Sequence, residues 1–275
     1  MGKSVLITGA TGALGKATAL EIAGSGAKII LLGRDKSKLE TVKNEISKES
    51  GNNDIEIIVA DLSDISSTKN AVEEFRIKHD RLDVLVNIAA VYRGKRELTK
   101  DKLEVMFATN HLGPFILTAG LLKLLKNSEQ PRIIYVSAPS TTKLKFDDLQ
   151  GEKKFSALNA FGASKMMNIM FTHLLSRRLD CTGITASVFH PGLMNSDLIK
   201  EMPGFFKFLV KILAKKPEKA AKMLGRIAID SEYAGTSGTF YKFNGDIIKS
   251  SDYSYDTEIQ DKLWEISAQL AGKAN

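Results

Sequence analysis

Short apolar runs alternate with longer amphipathic stretches along almost the whole chain, and this alternation narrows the choice of fold sharply. Several of the short runs are rich in Ile and Val and apolar throughout, as is typical of strands covered on both faces. The predicted strands are Ser4–Thr8, Lys28–Gly33, Ile55–Ala60, Val84–Asn87, Arg132–Ser137, Ile184–His190 and Thr239–Phe243. The predicted helices are Leu14–Ser25, Lys36–Ser50, Ser66–Lys78, Lys100–Leu125, Ala160–Leu179 and Asp256–Leu270. Strand followed by helix, repeated, predicts an α/β fold with a doubly wound, seven-stranded parallel sheet flanked by helices.

The length of 275 residues suits one α/β domain, which at this size buries a substantial core. No linker, repeat or low-complexity tract divides the sequence, so residues 1–275 are predicted to form a single domain. The rhythm of strand and helix breaks at residues 202–229. We interpret this segment as an insertion over the C-terminal edge of the sheet.

A glycine-rich turn follows the first predicted strand and leads directly into the first predicted helix. It reads Thr8-Gly9-Ala10-Thr11-Gly12-Ala13-Leu14-Gly15. Glycines let the backbone pass close to a pyrophosphate, and the N-terminus of a helix favours negative charge. A tight turn without a ligand is the alternative, but the flanking strand and helix favour a Rossmann-type dinucleotide site. The predicted cofactor-binding residues of this turn are Gly9, Thr11, Gly12, Leu14 and Gly15.

Further landmarks follow in the order of one known family. These are Asp61-Leu62 after the third strand, Asn87-Ile88-Ala89-Ala90 after the fourth, Asn110-His111-Leu112-Gly113, and Pro191-Gly192 followed by Ser196. With the TGxxxGxG spacing of the first turn, the whole chain resembles the short-chain dehydrogenase/reductase family. The retinol dehydrogenase-like and orphan dehydrogenase/reductase branch is the most similar, on the segments Leu149–Lys153, Asn168–Thr172 and Leu263–Ser267. The resemblance implies cofactor contacts at Asp61, Leu62, Asn87, Ala89, Lys165, Pro191, Gly192 and Ser196.

The choice between NADP(H) and NAD(H) depends on the end of the second predicted strand, which reads Gly33-Arg34-Asp35-Lys36. An acidic residue directly after the strand would hydrogen-bond the ribose hydroxyls of NAD. Arg34 stands there instead, and a guanidinium suits the geometry of a 2′-phosphate. Two alternatives stay open: Arg34 as a surface residue capping the next helix, and Asp35 as either the cap of that helix or a ribose contact. We expect NADP(H) to be preferred over NAD(H).

The resemblance also implies a Ser-Tyr-Lys catalytic group with an asparagine, and two members are changed here. Lys165 and Asn110 match their positions. Phe161 occupies the tyrosine position, four residues before the lysine, and Ala138 aligns with the serine. A benzene ring cannot transfer a proton, and general acid–base assistance is worth roughly 10²–10⁴-fold in rate. The scaffold is that of an oxidoreductase for lipophilic aldehydes, ketones or alcohols, with redox catalysis impaired or lost.

Three explanations of these substitutions remain. The chain is an engineered inactive variant, a natural pseudoenzyme that senses NADP(H) for a partner, or an enzyme of other, non-redox chemistry. Ile88 and Ala90 also depart from the family pattern, which favours natural divergence. Alternative proton donors are Ser137 above all, then Ser140, Thr141, a bound water, Tyr92 and Tyr135, although Tyr135 lies inside a predicted strand and is expected in the core.

The predicted insertion combines phenylalanines and aliphatic residues with interleaved lysines. By resemblance it is a substrate lid over a lipophilic small molecule. A helix packed on the domain, or peripheral membrane contact through residues 203–222, are the alternatives. Met166, Met167 and Met170 on the Lys165 helix form a stripe that suits core or subunit interface better than a cofactor contact. In the family that helix and Lys100–Leu125 commonly form a dimer contact, so we expect a homodimer.

Bulk properties set the remaining expectations. The net charge of +7 is spread along the chain, which favours a lysine-rich surface over a polyanionic partner. No zinc-ligand spacing or nucleic-acid-binding signature occurs, so we predict no metal site and no nucleic-acid partner. No segment approaches the roughly 18 consecutive apolar residues of a membrane span, and no secretory signal precedes the first strand. Cys181 has no partner for a disulfide, and we expect a cytoplasmic protein.

Overall fold

The computed structural model describes residues 2–194, 198, 201, 204–205, 214 and 216–272. Within these residues seven strands form one sheet in the order β3-β2-β1-β4-β5-β6-β7, and every neighbouring pair is parallel. The strands are β1 (Ser4–Thr8), β2 (Lys28–Gly33), β3 (Ile55–Val59), β4 (Val84–Asn87), β5 (Arg132–Val136), β6 (Thr185–His190) and β7 (Thr239–Lys242). The predicted Rossmann-type α/β fold is therefore confirmed. Its strand order reverses between β1 and β4, where such sheets bind ligands at their carboxyl edge.

Helices cover both faces of the sheet, as the unbroken apolar strands require. They are α1 (Ala13–Ala23), α2 (Lys36–Ser50), α3 (Ile65–Lys78), α4 (Val105–Leu125), α5 (Ala157–Arg178), α6 (Pro217–Ile229) and α7 (Thr257–Gly272). One core cluster joins the sheet to α3, α4, α5 and α7, and a second joins it to α1, α2 and α6. The methionine stripe of α5 is fully buried in the first cluster, so the structure assigns it to the core.

The α4 helix begins at Val105 and not at Lys100, as the sequence pattern predicted. Leu98 pairs with Glu104 in an isolated antiparallel bridge, and Lys102 takes the left-handed conformation at φ 59°. The Glu104 carboxylate then caps the helix by accepting a 2.8 Å hydrogen bond from the Phe107 amide. Periodicity alone could not separate this bridged loop from the helix that follows it.

By length and composition α4 is apolar enough to cross a membrane, with a mean hydropathy of 1.4. However, 78% of that window is buried inside the domain. The burial identifies α4 as the central helix of a packed face, where α3, α5 and α7 cover it. Within the helix, Ala108–Leu112 form one π-helical turn, a feature that often marks functional sites.

Much of the predicted insertion 202–229 lies outside the described residues, and so does half of the segment 203–222. Its described end forms α6, whose buried residues Ala220, Leu224 and Ile227 pack in the same core cluster as Ile22 of α1. This part of the insertion is therefore a helix on the face of the domain. The lid interpretation stays a prediction for the remainder.

Candidate cofactor and active site

The loops that follow β1, β4, β5 and β6 meet at the carboxyl edge of the sheet, beside the reversal of strand order. The structure brings the glycine-rich turn and the Asn87–Ala90 segment into direct contact there. Gly9 has a φ of +66°, and a Cβ atom on it would lie 2.8 Å from the Ala89 Cα. The positive φ and the short distance to Ala89 each exclude a side chain here, so only glycine fits at position 9.

Gly15 lets α1 begin directly against the turn. A Cβ atom at Gly15 would overlap the carbonyl oxygen of Gly9. Gly12 is the N-cap residue, and no side chain accepts from the first amides of the helix. Thr11, Gly12 and Ala13 are exposed, whereas Leu14 is buried. The turn therefore offers uncapped helix amides next to a glycine surface, which is the arrangement that binds a pyrophosphate.

Two side chains connect the turn to the end of β4. The buried Thr8 hydroxyl accepts hydrogen bonds from the amides of Ile88, at 3.0 Å, and Ala89, at 3.1 Å. Asn87 is also buried, and its Nδ2 reaches the Thr118 hydroxyl at 3.5 Å. The Asn87 Oδ1 is buried with no hydrogen-bond partner among the described residues. An unsatisfied buried acceptor of this kind fits a ligand that donates a hydroxyl or amide proton.

Arg34 and Asp35 separate into two roles at the end of β2. The Asp35 carboxylate caps α2 by accepting from the Lys38 amide at 3.1 Å. The Arg34 side chain is exposed and forms no hydrogen bond or ion pair with any described residue. Of the alternatives left open by the sequence, the helix cap thus falls to Asp35. Arg34 keeps its guanidinium available at the edge of the sheet.

Asp61 and Leu62 follow β3, next to the end of β2. The Asp61 Oδ1 accepts from the Ser63 amide at 2.9 Å and from its hydroxyl at 2.7 Å, which fixes this loop. Leu62 is buried, and its carbonyl oxygen lies where a Cβ atom of Gly113 would be. The close contact positions the Asp61 loop against α4. The sequence pattern did not indicate a role for Gly113, although it closes the Asn110-His111-Leu112-Gly113 motif.

Lys165 and Phe161 lie one turn apart at the start of α5. The Lys165 Nζ is 5.2 Å from the centroid of the Phe161 ring. Only 6% of Lys165 is exposed, and burial lowers the pKa of its amine to about 8. No carboxylate among the described residues pairs with it. The second neighbour of Phe161 is Tyr92, whose ring meets it edge to face at 5.5 Å between centroids.

The hydroxyl groups near the serine position are turned toward the backbone of α5. Ser137 is buried and donates to the Lys165 carbonyl oxygen at 3.0 Å. Ser140 donates to the Gly162 carbonyl oxygen at 2.8 Å. Ala138 lies between them and is only half-buried, which suits the position that should face a substrate. Ser137 and Ser140 therefore hold α5 in place, and Thr141 is exposed.

Asn110 lies in the π-helical turn of α4 and is fully buried. Its side chain bonds both backbone groups of Val91, accepting from the amide at 2.7 Å and donating to the carbonyl oxygen at 3.0 Å. The same Nδ2 lies 3.0 Å from the Ser164 hydroxyl, and the Asn110 carbonyl oxygen accepts from Asn168. Asn110 thus connects the loop after β4 to α5. The sequence indicated Asn110 but not Val91 or Ser164, which have no distinctive spacing.

The loop after β6 contributes Pro191 and Gly192, both half-buried. Gly192 has a φ of +79°, and a Cβ atom on it would lie 3.1 Å from the Phe243 ring. Ser196 lies outside the described residues. Tyr135, in contrast, is completely buried in the core, and its hydroxyl bonds Thr118 at 2.5 Å, which removes it from the site.

The described residues define a Rossmann-type protein with a dinucleotide site at the switch in strand order. Residues 3–204 match the family model for short chain dehydrogenases. Human retinol dehydrogenase 14 is 33% identical, over 98% of this chain and 87% of its own length. Human retinol dehydrogenase 13 is 35% identical, over 98% and 85% respectively. Among solved structures, an uncharacterised protein from Mycobacterium paratuberculosis aligns with a TM-score of 0.79 and 28% identity, covering 98% of this chain and 93% of that one.

The chain belongs to the short-chain dehydrogenase/reductase family and resembles its retinol dehydrogenases. Both the fold and the family predicted from the sequence are confirmed. Members of this family bind nicotinamide cofactors, and the described residues fit such a group. The glycine turn leaves no space for side chains, the helix amides of α1 are uncapped, and Asn87 offers an unsatisfied acceptor.

Proposed function

We propose that this chain is an NADP(H)-binding short-chain dehydrogenase/reductase for lipophilic aldehydes, ketones or alcohols, with strongly impaired redox catalysis. The proposal rests on the two residues that follow β2. Asp35 caps α2, whereas the exposed Arg34 side chain has no partner among the described residues. A guanidinium beside a glycine-rich phosphate turn supports a 2′-phosphate ligand. Arg34 also stands where an acidic residue would hydrogen-bond the ribose hydroxyls of NAD(H), which disfavours that cofactor.

The residues of the turn would hold the pyrophosphate, and Arg34 the 2′-phosphate. Lys165, Asn87 and Gly192 lie around the position of the nicotinamide ribose and ring in the family pattern. When bound, the cofactor supplies a hydride to the carbonyl carbon or accepts one from the alcohol. The protein has to orient the substrate and transfer a proton at its oxygen.

Impairment follows from the two missing hydroxyls. Phe161 keeps the ring and the contact with Lys165, so cofactor binding should suffer little. Proton transfer at this position is lost, and Ala138 cannot hydrogen-bond the substrate oxygen. Ser137 does not replace either group, because its hydroxyl is buried against the backbone of α5.

A paired experiment tests the proposal. The dissociation constants of NADPH and NADH are measured by fluorescence titration of the unaltered chain, and NADPH is expected to bind more tightly. The double variant Phe161→Tyr/Ala138→Ser is then assayed for NADPH oxidation with decanal and cinnamaldehyde, against the unaltered chain. We expect a gain in rate, which reaches roughly 10²–10⁴-fold if no other side chain supplies the proton. A chain that binds neither nucleotide at millimolar concentration contradicts the proposal.

The second candidate is a protein that senses NADP(H) for a partner without turnover. It is favoured by one observation, namely that the cofactor turn is intact while both hydroxyls are missing. Tight NADPH binding with no activity in the double variant would support it. A non-redox reaction would instead show product formation with unchanged nicotinamide absorbance.

A further inference from the structure

Tyr92 brings a phenol ring beside Phe161, the residue at the position where the family pattern expects a tyrosine. Its ring meets the Phe161 ring edge to face, with 5.5 Å between centroids and 70° between planes. Phe161 in turn lies against the Lys165 amine. Tyr92 therefore adjoins the altered catalytic position from the loop that follows β4, on the same edge of the sheet as the glycine turn.

The Tyr92 hydroxyl is not used by the fold. It forms no hydrogen bond with any described residue, and although the residue as a whole is buried, its hydroxyl oxygen keeps contact with solvent. Tyr135 shows the contrast, because its hydroxyl bonds both Thr118 and the carbonyl oxygen of Pro114. The Tyr92 hydroxyl is instead open to a partner that arrives from solvent. A substrate oxygen would provide that partner.

The backbone around Tyr92 is held rigidly. The Asn110 side chain bonds both the amide and the carbonyl oxygen of Val91. On the other side, the Arg93 guanidinium donates to the Tyr92 carbonyl oxygen at 3.0 Å and pairs with Glu97. A proton donor must be held close to the reacting atom, and this loop is fixed on both sides of the phenol.

We propose that Tyr92 is the proton donor for carbonyl reduction in this chain, in place of the hydroxyl that Phe161 lacks. The inference rests on the proposed function. Tyr92 transfers its phenolic proton to the carbonyl oxygen as the carbonyl carbon accepts a hydride from NADPH. The C=O bond becomes CH–OH, NADPH is oxidised to NADP⁺, and the phenolate regains a proton from water.

The charges around Tyr92 favour one direction of the reaction. Burial and the nearby Glu201 carboxylate raise the pKa of the phenol above its usual range. Tyr92 therefore remains protonated at neutral pH and serves as an acid better than as a base. Reduction of aldehydes should exceed oxidation of the matching alcohols, because the oxidation needs a deprotonated acceptor.

Single hydroxyl deletions test this assignment. NADPH oxidation with decanal is measured for the unaltered chain, Tyr92→Phe and, as the matched control, Tyr233→Phe, which removes a phenol far from the site. Tyr92→Phe keeps the ring and its contact with Phe161, so we expect an unchanged melting temperature and NADPH affinity. The rate at saturating substrate should fall by roughly 100-fold or more, and the control should retain full activity.

Repeating the Tyr92→Phe change in the Phe161→Tyr variant distinguishes a proton donor from a structural residue. When Phe161→Tyr is present, a tyrosine again stands at the family position, and the added Tyr92→Phe change should then cost less than tenfold. Equal losses in both backgrounds would assign Tyr92 a structural role and overturn the inference. Unaltered protein that binds NADPH but reduces no aldehyde also overturns it. Protein that does not bind NADPH contradicts the proposed function itself, so the two failures are distinguishable.

An independent observation concerns α7, which covers the outer face of α4 and α5. The Trp264 ring lies 5.1 Å from that of Phe115 and 5.6 Å from that of Phe171, between centroids. The Arg178 guanidinium is 4.5 Å from the Trp264 ring, and the buried His111 Nε2 lies 2.8 Å from the Ser267 hydroxyl. This is a packed contact that includes a buried hydrogen bond, and it occupies the helix pair on which the resemblance placed a homodimer.

We infer that α7 takes the place of a partner subunit on this face, so the chain is monomeric. The same surface cannot pack against α7 and against a second copy. Light scattering after size-exclusion chromatography tests this at micromolar concentration, where a mass near 30.1 kDa is expected. A mass of twice that value overturns the inference.

Discussion

The Lys165 amine lies 5.2 Å from the centre of the Phe161 ring, with no carboxylate among the described residues beside it. The ring face attracts a cation weakly and cannot give up a proton. Lys165 therefore keeps the position of its family counterpart but has no phenol at residue 161 to act upon. Burial lowers its pKa to about 8, and the charge of this amine becomes sensitive to pH in an accessible range.

NADPH affinity is expected to depend on pH through Lys165. Below pH 8 the amine is charged and favours an anionic ligand, and as pH rises through about 8 the free protein loses that charge. The dissociation constant should therefore rise between pH 7 and pH 9 in fluorescence titrations. Lys165→Gln should bind more weakly at pH 7 and lose the dependence. Equal affinity of the unaltered chain at both pH values would show that the charge of Lys165 either does not change in this range or does not contribute to NADPH binding.

Arg34→Gln should weaken NADPH binding without changing NADH binding. Hydrogen bonds to charged groups contribute about 1.5–3 kcal/mol, so the expected loss is roughly 10–100-fold for NADPH. Asp35→Asn is the matched control, because asparagine also caps helices and should preserve α2. Calorimetric titration with both nucleotides measures the difference. A parallel loss for NADPH and NADH would assign Arg34 a role other than phosphate recognition.

Gly15→Ala should abolish cofactor binding and destabilise the fold. The new Cβ atom overlaps the Gly9 carbonyl oxygen, so α1 must move away from the turn, at a cost of about 1–3 kcal/mol. Gly24→Ala at the other end of α1 is the control. Gly24 has φ −60°, and the nearest atom to its Cβ position is 3.5 Å away, so the stability should change by less than about 1 kcal/mol. Urea unfolding of both variants measures this contrast.

Stability should fall as pH decreases from 7 to 5. Burial lowers the pKa of His111 to about 4, against 6.5 in the unfolded chain, so the unfolded state binds the proton first. The stabilisation is complete above the unfolded pKa and is lost as pH falls toward 4. The loss at pH 5 should reach about 2 kcal/mol for this residue. His173, whose pKa burial also lowers to about 4, adds to the effect.

Urea unfolding at pH 7 and pH 5 measures this dependence. His111→Gln keeps a donor that can reach the Ser267 hydroxyl but does not titrate, so its stability should change less between the two pH values. His79→Gln is a useful comparison, because Glu56 lies beside that histidine and partly offsets the effect of burial on its pKa. An unaltered pH slope in His111→Gln would show that other groups dominate the acid sensitivity.

The sheet could be predicted almost residue by residue from the sequence. β1, β2 and β4 begin and end where the apolar runs do, because strands covered on both faces leave an unbroken hydrophobic signal. The start of α4 could not be predicted in this way. The Leu98–Glu104 bridge and the left-handed conformation of Lys102 depend on contacts that hydrophobic periodicity does not record. The local hydrophobic pattern was therefore enough to predict the strands and helices, whereas the position at which α4 begins depended on its capping contacts.

The site divides in the same way. The glycines, Arg34, Asn110 and Lys165 carry local signals, because each belongs to a motif with fixed spacing. The separate roles of Arg34 and Asp35 required the hydrogen bond to the Lys38 amide. The approach of Tyr92 to Phe161 depends on two segments far apart in the sequence, and no pattern in either one indicates it.

The packing of α7 also affects the order in which the protein can complete its fold. His111 and Ser267 form their hydrogen bond across 156 positions of sequence. During synthesis on the ribosome, α4 and α5 emerge well before α7, and the rings of Phe115 and Phe171 lack their Trp264 neighbour until then. The nascent chain therefore exposes these aromatic rings to solvent until α7 emerges, and transiently exposed hydrophobic surface of this kind promotes aggregation during folding.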